Sequence, residues 1–270
     1  MRRAAELQLA FAVVAALFAA GAQPARGVPR EDWRARVAAA ERYAEGRLGS
    51  VSFALVDARG RVHGHRADAP VPTASLLKAM LLVGYLRLPS VRERDLTSRE
   101  KGLLGPMIRR SANAPVAVIL PLVGAERLYR LARIAGMTRF RLAWPVWGLS
   151  QTTARDQACF FHGLDARVPA RHRGYALRLL GTVVPSQSWG VGRVAHPGWR
   201  LYFKGGWGSG TGLVDHQSAL LTSRGARVAL GLTTRFNPDH DYGKATLRGL
   251  ARRLLGGLRP PGSAGSWLPP

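Results

Sequence analysis

The chain has 270 residues, of which 47% are apolar, so it can bury the core of one or two domains. Its 40 basic residues outnumber its 16 acidic residues, which gives a formal net charge of +24 at pH 7. This composition excludes intrinsic disorder as the main state, and the lack of a repeat period excludes fibrous and solenoid classes.

Arginine supplies 36 of the basic residues, and these are spread along the whole chain. Nucleic-acid-binding proteins concentrate their positive charge on one helix or stripe, so the scatter predicts no specific nucleic-acid partner. Two interpretations stay open. The charge forms a solvated basic surface, or it gives affinity for an anionic partner such as a cell-wall polymer or a membrane surface.

Residues 1–22 have the layout of a secretory signal peptide. A short positive start precedes an almost wholly apolar stretch at 7–20, and small residues at 20–22 offer a cleavage site. The stretch is shorter than the roughly 20 residues of a transmembrane helix, so we expect cleavage, with an uncleaved anchor as the alternative. The mature protein is then predicted to have no transmembrane span and to be secreted, either extracellular or periplasmic in the cell envelope. Its single cysteine, Cys159, excludes an intrachain disulfide.

Residues 28–258 are predicted to form one domain, followed by a disordered tail at 259–270 that is rich in Pro, Gly and Ser. Strands are predicted at 50–57, 62–66, 200–204, 213–222 and 228–234, and amphipathic or apolar helices at 31–47, 76–88 and 242–258. Segments 28–68 and 198–258 then make an α/β lobe, and segment 69–197 makes a mainly helical lobe. If strands from both ends share one sheet, a cleft between the lobes is the expected binding site.

Three short patterns carry candidate chemistry. The sequence SLLK at 75–78 places a hydroxyl at the start of an apolar helix and an amine one turn later, where burial lowers the amine's pKa. The sequence SAN at 111–113 precedes an apolar run and, taken alone, favours a helix cap. The sequence KGGW at 204–207 is either a strand end with a glycine-rich turn or a lysine aimed into the cleft. A second S-x-x-K pattern, SREK at 98–101, lies in polar surroundings and predicts a solvated helix face.

In this order the three patterns resemble the motif set of the serine β-lactamase and penicillin-binding protein superfamily, and most closely the class A β-lactamases. The strand and helix order over roughly residues 30–258 also matches. The resemblance implies an α/β (α+β) fold of the β-lactamase/transpeptidase type. Its five-stranded antiparallel sheet is flanked by N- and C-terminal helices, and its inserted all-helical lobe is trimmed.

The resemblance implies four catalytic residues. Ser75 is expected to attack a carbonyl and form an acyl-enzyme, and Lys78 to accept its proton. Ser111 is expected to relay a proton to the leaving nitrogen. Lys204 is expected to set the electrostatics of the site and to attract a substrate carboxylate.

The resemblance also implies substrate-binding residues. Asn113 is expected to bind the substrate's amide side chain, and Gly205, Gly206 and Trp207 to line the bound substrate. The backbone N–H groups of Ser75 and Trp207 would form the oxyanion hole.

The chain departs from the family pattern in three places. Gly205 replaces the hydroxyl residue of K-T-G, and Ser209 or Thr211 are candidate substitutes. Ala112 replaces the middle residue of S-D-N. Between Glu126 and Asp156 there is no carboxylate, so the glutamate that activates the deacylating water in class A enzymes is missing. Asp156 is expected to cap the helix that follows it, in preference to acting as a base.

These observations predict a secreted, monomeric serine hydrolase that acts on β-lactam or D-alanyl-peptide-like amides, including peptidoglycan-derived substrates, with doubtful lactamase turnover. A D,D-carboxypeptidase or penicillin-binding protein with slow deacylation, and a non-catalytic cell-wall-binding protein, are the alternatives. His63 and His65 lie on one face of a predicted strand, and an exposed strand face is favoured over a metal site. We expect neither a metal nor an organic cofactor.

Overall fold

The structure, a computed structural model, describes residues 32–210 and 212–260. The expected signal peptide at 1–22, Thr211 and nearly all of the expected tail lie outside the described residues. The described elements from Trp33 onward belong to one compact unit. No helix among the described residues is long and apolar enough to cross a membrane.

The central feature is a five-stranded antiparallel sheet with the strand order β2-β1-β7-β6-β5. The first two strands come from the N-terminal part of the chain and the last three from the C-terminal part, so the two ends share one sheet. The strands are β1 (Ser50–Val56), β2 (Val62–His65), β5 (Arg200–Gly208), β6 (Val214–Ser223) and β7 (Ala226–Arg235). A separate two-stranded ladder joins β3 (Val71–Pro72) to β4 (Gln151–Thr152).

Helices cover both faces of the sheet. On one face lie α1 (Trp33–Glu45) and α8 (His240–Leu255), which pack against each other. The other face carries most of the segment between β2 and β5, including the remaining α-helices, whereas the 3-10 turn Gly190–Arg193 of that segment packs on α8. These remaining α-helices are α2 (Leu77–Leu86), α3 (Ser98–Arg109), α4 (Ala114–Ile134), α5 (Ala154–His162), α6 (Leu164–Arg167) and α7 (Ala170–Gly181).

The core follows this layering because each face of the sheet buries its own apolar cluster. The larger cluster lies between the sheet and the helical segment and is centred on α2, every residue of which is buried. An apolar helix buried all round needs neighbours on every side, and α3, α4 and α7 supply them. The smaller cluster packs α1 and α8 on the opposite face, around residues such as Phe53 and Leu250.

One prediction about local structure is confirmed and one is wrong. The helix predicted at 76–88 is α2, which ends two residues earlier and directly follows a 3-10 turn at Ala74–Leu76. The predicted exposed face at His63 and His65 is half-buried. The His63 ring lies 3.1 Å from the Asp57 carboxylate and the His65 ring 3.0 Å from Glu41 of α1, since α1 packs across this edge of the sheet.

Candidate active site

Ser75 lies in the middle of the 3-10 turn Ala74–Leu76, directly before α2. The turn is fixed from both sides. The Thr73 N–H donates to the Ser150 carbonyl at 2.5 Å, and the Leu76 N–H donates to the Thr73 carbonyl at 3.0 Å. Ala74 has a φ of 43°, in the left-handed region that side chains with a Cβ rarely adopt. The packing therefore holds the backbone before Ser75 in a strained conformation, which is common at functional sites.

Lys78 projects from the first turn of α2 onto Ser75. Its Nζ lies 2.8 Å from Ser75 Oγ, 2.6 Å from the Ser111 carbonyl oxygen and 2.7 Å from Asn113 Oδ1. The side chain is fully buried. Burial disfavours the charged form and lowers the pKa of Lys78 to about 8. A neutral amine in contact with a serine hydroxyl is therefore accessible near physiological pH.

Ser111 connects α3 to α4 and holds its hydroxyl between two lysines. Its φ of 58° turns the chain sharply, and its Oγ accepts from Lys204 Nζ at 2.9 Å and from Lys78 Nζ at 3.3 Å. The cap interpretation of residues 111–113 is wrong for the side chains. Asn113 stands at the cap position of α4 without a capping side-chain bond, and its amide oxygen faces Lys78.

Lys204 reaches the same hydroxyl from β5. Its side chain is fully buried, and its Nζ also donates to the Gly205 carbonyl at 2.7 Å. Burial, together with the nearby positive charge of Lys78, lowers the pKa of Lys204 well below its usual value. Two amines that share one hydroxyl disfavour being charged at the same time, so their titrations are coupled.

The glycines after Lys204 lie inside the strand, which corrects the predicted strand end at residue 204. β5 continues to Gly208, with Gly206 paired to His216 and Trp207 to Asp215 of β6. A Cβ on Gly206 would lie 3.0 Å from the Leu76 nitrogen and 3.1 Å from the Ser75 nitrogen. Glycine at this position therefore lets the edge strand approach the backbone of the Ser75 turn.

Two tryptophan rings pack against each other beside this part of β5. The Trp207 ring centroid lies 5.8 Å from Lys204 Nζ, and the ring packs edge-on against Trp189. A Cβ on Gly205 would lie 3.1 Å from the Trp189 ring, so this position is closed to larger side chains unless Trp189 moves.

Solved structures share this arrangement of elements. A β-lactamase from Sphaerobacter thermophilus superimposes with a TM-score of 0.69 and 20% identity, over 85% of this chain and 99% of that chain. A β-lactamase from Xanthomonas campestris gives a TM-score of 0.69 and 20% identity, over 82% and 96% of the two chains. An ancestral class A β-lactamase gives the same score and identity, over 82% and 99%. The chain has the class A β-lactamase fold. No family profile and no curated protein sequence matches it.

The fold that the three motifs predicted is thus confirmed. Within this β-lactamase fold the structure brings Ser75, Lys78, Ser111 and Lys204 into mutual hydrogen-bonding contact. Asn113 joins them through Lys78. Their catalytic and binding roles stay predictions.

The loop at 139–149 places an aromatic ring where sequence reasoning named no residue. Its 3-10 turn, Trp147–Leu149, packs against the Ser75 turn, and the Trp147 ring centroid lies 5.1 Å from Lys78 Nζ. The apolar composition of this loop was the available signal, but composition alone does not show which ring faces the site.

The prediction that Asp156 caps the following helix is wrong. Thr153 caps α5 by accepting from the Asp156 N–H, while the buried Asp156 carboxylate accepts from the N–H groups of Thr138 and Arg139. Burial raises the pKa of Asp156. The carboxylate thus holds the start of the loop, and both of its oxygens are engaged there.

A possible cation-ligand set lies elsewhere on the molecule. Glu41, Glu45 and His65 bring three ligand atoms within 4.8 Å of one another, on α1 and β2. The residues around Ser75 are amines, hydroxyls, one amide and aromatic rings. This donor set suits proton transfer and carbonyl chemistry better than metal binding.

Proposed function

We propose that the chain is a serine hydrolase that forms an acyl-enzyme on Ser75 with β-lactam or D-alanyl-peptide-like amides. The observation that carries this proposal is the 2.8 Å contact between Lys78 Nζ and Ser75 Oγ, made by an amine whose pKa is lowered to about 8. An unprotonated amine at this distance accepts the hydroxyl proton as the oxygen attacks.

The remaining groups support the later part of acylation. As Ser75 Oγ bonds to the carbonyl carbon, negative charge develops on the carbonyl oxygen, and we propose that the N–H groups of Ser75 and Trp207 donate to it. The C–N bond then breaks, and the leaving nitrogen takes a proton from the Ser111 hydroxyl. Ser111 Oγ regains a proton from one of its two lysine partners, at 2.9 Å or 3.3 Å.

Deacylation is proposed to be slow. Segment 127–155, which includes the loop at 139–149 beside the site, contains no carboxylate, and Trp147 of this loop faces Lys78. The observation favours a penicillin-binding protein or D,D-carboxypeptidase with slow hydrolysis of penicillin adducts as the second candidate. We place the mature protein in the cell envelope, with peptidoglycan-derived substrates. This follows from the leader-like sequence at 1–22.

The test is intact-mass spectrometry of the protein incubated with a penicillin and followed over hours. We expect a long-lived mass increase of one penicillin, mapped to Ser75 and abolished by Ser75→Ala. The matched control is Ser98→Ala, because Ser98 begins the second S-x-x-K pattern on the exposed side of α3. A short-lived adduct with hydrolysed drug shows β-lactamase turnover through another base. No adduct and no hydrolysis with the wild-type protein overturns the proposal in favour of another substrate or of a binding role alone.

A further inference from the structure

Large apolar side chains are exposed around the mouth of the site. They come from the 139–149 loop and from the ends of β5 and β7. We call this set the apolar collar, and its members are Trp144, Val146, Leu149, Trp207 and Phe236. Trp144 is 68% exposed and Phe236 is 57% exposed, so both side chains project into solvent. A cluster of protruding aromatic and aliphatic groups is unusual on a free protein surface.

Ring contacts connect the collar and its loop to Lys78 and Lys204. Trp147, which lies between two collar residues in the loop, covers Lys78, and Trp207 lies beside Lys204. Leu149 lines a cavity of about 380 Å³ with Gly210 and Arg235, and the Arg235 guanidinium lies 4.5 Å from the centre of the Phe236 ring. The ring contacts of Trp147 and Trp207 therefore place the loop and the end of β5 beside Lys78 and Lys204.

The charge around the collar is mainly positive, although exposed Asp239 and Asp241 follow Phe236 in the sequence. Segments 101–125, 127–155 and 216–238, which supply the loop and strand ends at this opening, contain no aspartate or glutamate. Arg110, next to Ser111, is exposed, and so are Arg139 and Arg141 at the start of the loop. Exposed aromatic groups beside exposed arginines are the pattern by which proteins bind anionic lipid surfaces.

We propose that the collar face docks on an anionic lipid bilayer, with the mouth of the Ser75 site at the headgroup layer. Charge complementarity selects this occupant. A second copy of the chain would bring two basic faces together, which is unfavourable. An anionic polymer would satisfy the arginines, but it offers no apolar phase for Trp144 and Val146. The proposal goes beyond the enzymatic one and does not depend on Ser75 being a nucleophile.

The experiment is vesicle co-sedimentation of the full chain. The vesicles are phosphatidylcholine alone or an equal mixture of phosphatidylcholine and phosphatidylglycerol. We compare the wild type with the collar variant Trp144→Ser/Val146→Ser/Phe236→Ser and with the control Val118→Ser/Leu122→Ser. The control removes two exposed apolar side chains of α4 that lie outside the collar. A second measurement is the quenching of tryptophan fluorescence by brominated phosphatidylcholine. Comparison of the wild type with Trp144→Phe shows whether Trp144 itself contacts the lipid.

We expect the wild type and the control to bind the anionic vesicles at least tenfold more strongly than the collar variant. We also expect weaker binding at high salt, and a quenched fraction that falls in Trp144→Phe. Ser75→Ala should bind like the wild type, which separates this result from a failure of the enzymatic proposal. Equal binding by the collar variant and the wild type, with no change in quenching, overturns the proposal. So does collar-independent binding to soluble polyphosphate at the same strength, or a dimer in the absence of vesicles that the collar variant abolishes.

Discussion

The Trp147 ring centroid lies 5.1 Å from Lys78 Nζ, so an aromatic face covers the amine next to Ser75. A positive amine is attracted to such a face, whereas a neutral amine and a water molecule gain little from it. The contact therefore provides no acceptor for the proton of a hydrolytic water. The site therefore favours acylation over deacylation.

We expect the rate of acylation to follow the titration of Lys78. Because only the neutral amine accepts a proton and its pKa is about 8, the rate should rise about tenfold per pH unit below pH 8 and level off above it. Stopped-flow acylation with a chromogenic cephalosporin between pH 6 and 9 measures this. Lys101→Met, in the exposed second pattern, should leave the profile unchanged, and a flat wild-type profile would exclude Lys78 as the base.

Trp147→Glu should shorten the lifetime of the penicillin adduct. The substitution places a carboxylate beside Lys78, where a general base can activate water, and such groups accelerate proton transfer by roughly 10²–10⁴-fold. We expect deacylation at least tenfold faster, measured by the decay of the adduct mass. Trp147→Gln is the matched control and should keep a long-lived adduct. Equal lifetimes in both variants would show that a carboxylate at this position does not activate the hydrolytic water.

Gly206→Ala should slow acylation while leaving the protein folded. The added Cβ would meet the backbone nitrogens of Leu76 and Ser75 at 3.0 and 3.1 Å, so β5 has to move away from the Ser75 turn. Gly208→Ala is the control, since nothing lies within 4 Å of its added Cβ. We expect at least a tenfold loss for Gly206→Ala in the same stopped-flow assay. A loss of similar size in Gly208→Ala would contradict the steric explanation.

Asp156→Asn should destabilise the fold. The buried carboxylate accepts two backbone N–H groups, and a buried donor left without a partner costs about 1–3 kcal/mol in the free energy of unfolding. Asp68→Asn breaks a half-exposed pair with Arg155 and should cost less than about 1 kcal/mol. Urea denaturation of both variants provides the comparison, and equal losses would argue against the anchoring role of Asp156.

The sequence was sufficient to predict the four hydrogen-bonded site residues because each lies in a local pattern whose order along the chain was informative. Lys78 follows Ser75 by one helical turn, a spacing that puts both side chains on one face, and the apolar surroundings distinguish this pair from Ser98 and Lys101. The last two strands of the sheet are apolar runs joined by a short turn at 223–225, so the sheet was predictable too.

The rest depends on contacts between distant segments. β5 continues through Gly205 and Gly206 because β6 pairs with it, although a local pattern of glycines predicts a turn. Asp156 bonds to residues 17 and 18 positions earlier, beyond the range of a capping rule. Trp147 faces Lys78 only because its loop folds back onto the Ser75 turn.

The pair of buried lysines also affects how the whole protein responds to alkali. In the unfolded chain Lys78 keeps its ordinary pKa of 10.5, whereas in the folded protein its pKa is about 8. Between these two values the unfolded chain binds more protons than the native state. Raising the pH through this window therefore shifts the equilibrium toward the folded form. Lys204, whose pKa is also lowered, acts in the same direction. At neutral pH the two buried lysines therefore lower the free energy of unfolding, and mild alkali reverses this loss. In Lys78→Met the melting temperature should rise less between neutral and alkaline pH than it does in the wild type.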